Sequence, residues 1–105
     1  MEEYIICILH DDRIVQLHSD KHFYSGHVCM RGCRPVARKT RKGAEQVART
    51  YIYNSWGPAF ACTNKELEQL RESIHLVYNR EERMKRFSAK VQDLNVTTFH
   101  AAKPY

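Results

Sequence analysis

No apolar run in this chain of 105 residues approaches the roughly 20 that cross a bilayer as a helix. The opening stretch, MEEYIICILHDD, lacks the basic segment of a secretory signal, and its apolar run is too short to serve as one. The two absences exclude a helical membrane protein and predict a cytoplasmic one. Internal repeats, low-complexity tracts and linker-like stretches are missing too, so residues 1–105 read as a single domain with a modest core of its own. Catalytic patterns are equally scarce. There is no glycine-rich elbow to mark an oxyanion hole, and Asp11-Asp12 fall in a turn sequence, where Asp is favoured for local hydrogen bonds. A chain this short rarely encloses a substrate pocket alone. No enzymatic activity, catalytic residue or cofactor is expected.

The most informative absence is local. From Lys21 to Ala44 there are seven Lys or Arg residues and no Asp or Glu, a charge of +7, whereas the rest of the chain sums to −2. The net +5 is therefore one concentrated feature, and a focused positive field attracts nucleic acid, nucleotides or an acidic protein face.

The hydrophobic content of 43% is that of a folded chain, and its pattern predicts the elements. EYIICIL (3–9) is apolar almost throughout, as a central strand buried on both faces would be. HDDR is a turn, and IVQLH (14–18) resumes as the second strand of a hairpin. A third strand runs through HVCM, RPVAR or both, with Pro35 at an edge or a strand start. Thr40 is placed to cap a helix over 41–54, whose stripe is Ala44, Val47, Ala48, Tyr51 and Ile52. Asn54 and Gly57-Pro58 stop it. Thr63 and Glu66 have the spacing of a capping box, opening a second helix over 64–87. LNVTTFH (94–100) returns to a strand, and AAKPY is a tail. The expected fold is α+β: an antiparallel sheet of three N-terminal strands and a C-terminal one, packed with two helices in the order βββ-α-α-β. Ile5, Ile6, Ile8, Val47, Ile52, Leu67, Leu70 and Ile74 are the expected core.

Three groupings are candidates for function. Arg31, Arg34, Arg38, Lys39, Arg41 and Lys42 crowd a strand and the start of a helix, where the backbone already carries about half a positive charge. Free amides, the helix dipole and cations together favour an anion such as phosphate. Tyr24 lies just upstream, able to stack on bases if exposed. The bland alternative is an edge strand guarded by cations against aggregation. Second, His27, Cys29, Cys33 and Cys62 have residue types and partial spacing suited to zinc, but no second CxxC or HxxxH module completes the pattern. Four reduced thiols are expected instead. Third, Trp56, the lone tryptophan, is either a core plug beneath its loop or an exposed binding anchor.

The first half also resembles a pattern found in small phage-encoded accessory proteins. A first strand (here YIICIL) leads to a second and a YSG turn, and a third strand runs into a short helix, as RPVARKTRKGAEQVARTYI would. That group includes inhibitors of host defence, anti-CRISPR proteins among them, and shares no functional residues that could be transferred. The resemblance implies phage origin, a host-cell cytoplasmic location and a binding role. Combined with the basic tract, it predicts a non-enzymatic inhibitor that binds a host nucleic-acid-guided nuclease, another nucleoprotein or the nucleic acid itself. The alternatives are a sponge or enzyme for a small anionic nucleotide, and a zinc-stabilised nucleic-acid-binding regulator. The sequence specifies no oligomeric state.

Overall fold

The computed structural model of the protein describes residues 2–25, 32–52 and 56–101. The expected strand through HVCM, together with His27, Cys29 and Arg31, lies outside the described residues.

β1 (Tyr4–His10) is the middle of the molecule, as its unbroken apolar sequence requires. Ile5, Cys7 and Leu9 face one side and Ile6 and Ile8 the other, and all five are buried. A two-residue turn, with Asp11 at φ 55°, joins β1 to β2 (Arg13–Leu17) in antiparallel register, Cys7 opposite Gln16 and His10 opposite Arg13. Asp tolerates that left-handed geometry better than most residues. β3 (Phe23–Tyr24) continues outward from β2. β4 (Ala37–Arg38) returns to β1, pairing Tyr4 with Arg38 and Ile5 with Ala37. Just before it, the Val36 amide donates to Leu17 and the Ser19 amide to the Arg34 carbonyl, so residues 34–38 run extended between the end of β2 and the start of β1.

α1 (Arg41–Arg49) follows, capped by Thr40, whose hydroxyl accepts from the Gly43 amide at 3.1 Å. It ends earlier than its apolar stripe predicts. The Thr50 hydroxyl donates to the Val47 carbonyl at 2.7 Å, competing with a further helical turn, and Val47 and Ile52 are only half-buried. The chain then crosses to the other side of β1 as β5 (Ala59–Cys62), which pairs Ile6 with Ala61 and Ile8 with Ala59. Gly57 makes this crossing possible. A Cβ there would lie 2.1 Å from the Leu9 carbonyl oxygen, while Leu9 donates its own amide to Pro58 at 3.0 Å.

The expected long second helix is two. α2 (Asn64–Ile74) opens on the predicted capping box, with Thr63 and Glu66 satisfying each other's amides at 2.9 and 3.1 Å. α3 (Arg80–Asp93) starts afresh on Asn79, whose side chain accepts from the Glu82 amide. β6 (Thr98–Phe99) closes the sheet beside β5. The architecture is α+β, with an antiparallel six-stranded sheet and three helices among the described residues. It corrects the sequence reading by two added strands (β3 and β5), a short β4 and β6, and a divided second helix.

The sheet is covered on both faces. On one, Ala44 and Ala48 of α1 meet Ala59 and Ala61 of β5, four small side chains that let helix and strand approach closely. On the other, Leu67, Leu70 and Ile74 of α2 and Phe87 and Val91 of α3 pack on Ile5, Cys7, Leu9 and Phe60. Each large side chain so buried contributes about 1.5–3 kcal/mol. No helix among the described residues is long and apolar enough to cross a membrane.

Candidate anion-binding surface

The extended stretch 34–38 and the first turn of α1 carry the basic tract along one rim of the sheet. Val36 packs into the core on the α1 side, and Arg34 and Arg38, two residues to either side, share its direction in an extended chain. Arg34, Arg38, Lys39 and Lys42 are exposed, and none forms an ion pair among the described residues. The first turn of α1 contains no acidic residue, so nothing within it offsets the cations or the positive end of the helix.

Arg41 is placed differently. Its Nη2 donates to both carboxylate oxygens of Glu66 at 3.1 Å, its Nη1 reaches the Ala61 carbonyl at 3.4 Å, and its guanidinium lies 4.8 Å from the centre of the Tyr4 ring. Glu66 is the same residue that closes the α2 capping box. Arg41 therefore ties the start of α1 to the start of α2 and is withdrawn from the rim. Two of the aromatic candidates are also drawn inward. The Tyr24 ring meets that of the fully buried His18 at a tilt, with centroids 4.6 Å apart, and its hydroxyl donates to Asp20. That hydrogen bond, helped by the His22 amide at 3.1 Å, holds the Asp20 carboxyl below the usual carboxylate range. Trp56 is half-buried and packs against the α1-side core, its ring 4.0 Å from His10 and 5.9 Å from Phe23.

The thiols correct the expectation of four reduced cysteines. Cys7 and Cys62 are free, but Cys33 is disulfide-bonded. The compartment argument treated all four alike, whereas pairing depends on which sulfurs the fold brings within reach. Cys33 Sγ lies 3.4 Å from His18 Nδ1, and because a disulfide sulfur carries no proton, this is a hydrogen bond only when Nδ1 is the protonated nitrogen. Cys62 sits in the core beside Cys7, whose thiol is pushed well above its usual value, first by burial and then by its hydrogen bond to Cys62. Neither Cys33 nor Cys62 is thus presented as an open metal ligand. Among the described residues no group of three or more His, Cys, Asp or Glu side chains is gathered to hold a metal.

Sequence reasoning counted His18 among the imidazoles near the cysteines without foreseeing its burial, and it missed Arg83. Period-two alternation along IVQLH already puts Gln16 and His18 on the face of Ile14, and both are buried. Arg83, 8% exposed, donates at 3.1 Å to the Val77 and Tyr78 carbonyls and holds the α2–α3 connection. The chain matches no protein-family model, no curated protein and no solved structure.

Proposed function

We propose that the protein is a non-enzymatic binding protein that engages nucleic acid, bare or held in a host nucleoprotein such as a guided nuclease, through its phosphate backbone. The observation that carries this reading is the rim itself: four exposed cations without ion-pair partners among the described residues, fixed on an extended strand and a helix start. Like charges held together beside a positive helix end repel one another, and a row of phosphates relieves that repulsion while releasing counterions. The phage-type pattern of the first half is compatible with an inhibitor that occupies the path of guide or target strands. A nucleotide sponge would need a concave site at the rim. The larger grooves among the described residues lie instead along α3, one lined by Arg80, Glu81 and Met84 with their neighbours and one by Ser73, Arg86 and Lys90 with theirs.

The test is charge reversal with Arg41 retained. Arg38→Glu, Lys39→Glu and Lys42→Glu together should abolish capture of nucleic acid or nucleoprotein from host lysate, with the melting temperature changed by no more than a few degrees. Nuclease treatment of the lysate separates capture of nucleic acid from capture of protein. A triple variant that binds as the parent does at physiological salt would overturn the proposal.

A further inference from the structure

Resting on that reading, the same surface indicates which form of nucleic acid it takes. Proteins that hold single strands combine a cationic groove with exposed aromatic rings on which unpaired bases stack. Here the described aromatics around the rim are half-buried, each engaged by a neighbouring side chain. Tyr24 lies on His18, Phe23 meets the Tyr51 ring edge-on at 5.5 Å, and Tyr4 lies beneath the Arg41 guanidinium. Among the described aromatics only Tyr78 is exposed, at 83%. Its loop starts beside the β1–β2 turn, where Leu76 shares a groove with Asp12 and Arg13. The rim lies at the opposite end of β1, beside Tyr4, about 20 Å away for a seven-residue strand.

Among the described residues the rim therefore offers charge without a fully exposed aromatic ring, which suits a partner whose bases are already stacked on each other. Its spacing agrees. Arg34 and Arg38 point the same way four residues apart on an extended chain, about 13 Å. The major groove of a B-form duplex is roughly 12 Å wide, so the two guanidinium groups can reach phosphates on its two walls, with Lys39 and Lys42 alongside. We infer that the rim takes double-stranded nucleic acid, gripped through its phosphates without base contacts.

Fluorescence anisotropy on the full chain tests this with four probes of about 20 nucleotides or base pairs: a mixed-sequence DNA duplex, the matching RNA duplex, and a single strand of each. The DNA duplex should bind about tenfold or more tighter than its strand, and a scrambled sequence should bind equally well. An RNA duplex that binds more tightly than the DNA duplex would overturn the groove-spanning geometry. For four phosphate contacts on DNA the log–log salt slope should be about −3.6, a loss of about a hundredfold between about 50 and about 200 mM salt. Alanine at all four rim positions should flatten that slope while the melting curve is retained. Single strands that bind as tightly as the duplexes would overturn this inference and leave the proposed function standing. Failure of every probe to bind at the lowest salt would overturn both.

Discussion

A guanidinium paired with a carboxylate has much of its charge already neutralised, and Arg41 is in that state with Glu66. The pair is half-buried, and removing the cation also strips a bond from the Ala61 carbonyl. Arg41→Ala should therefore cost about 1–3 kcal/mol in urea denaturation, while Arg38→Ala, at an exposed site, should stay within about 0.5 kcal/mol. The sequence could not separate these arginines. Both precede an apolar stripe, and the difference lies in a carboxylate 25 positions away. Cys7 supplies a second residue-level test. Burial and its hydrogen bond to Cys62 hold its thiol neutral in the folded protein, whereas an unfolded chain ionises it near the usual value of 9.0. Its contribution to stability is thus fully present below that pH and is lost as the pH rises through the higher, folded value. Melting temperature should fall through this alkaline window, and Cys7→Ala should show a shallower fall there. An identical slope in the variant would remove Cys7 as the cause.

At the level of elements, the division of the expected second helix is the main departure from the sequence pattern. Leu67, Leu70, Ile74, Val77 and Phe87 keep a helical period, yet the chain leaves the helix at His75, with Leu76 at φ 58° and exposed. What holds the break is Arg83, which bonds the Val77 and Tyr78 carbonyls from inside α3. Arg83→Met preserves much of the packing and removes both bonds, so it should cost about 1.5–3 kcal/mol and speed amide exchange around 75–79 before the rest of the molecule. A variant as protected there as the parent would show that α2 and α3 hold the connection without it. The signal for the break was present as Asn79 three residues before Glu82, a capping spacing inside an apparently continuous stripe. β5 was hidden for another reason. AFAC is four residues long and uniformly small or apolar, so it has no period to read, and only its pairing with β1 makes it a strand. The caps at Thr40 and Thr63 and the β1–β2 hairpin were legible because each depends on residues adjacent in sequence.

For the whole molecule, one sheet is shared by two cores, and α2 links the larger one to the strand order. Leu70 is fully buried there, and Leu70→Ala should cost about 2–5 kcal/mol, read from the midpoint of denaturant unfolding. A loss below about 1 kcal/mol would mean that the α2 face contributes little to folding. The basic rim was legible in the sequence as composition, since an acid-free stretch needs no tertiary information to be seen. Which of its cations stay at the surface was not legible, because that is decided by partners brought from β5 and α2. Gly57 joins the halves, and its effect extends to inheritance. Surface cations can be exchanged one at a time as a lineage meets new partners, each step leaving a folded protein. Position 57 has no such freedom, because any side chain would collide with the Leu9 carbonyl and separate β5 from β1. Descendants that keep this strand order will keep that glycine after the basic tract has drifted beyond recognition, and it is the residue by which distant kin can be aligned.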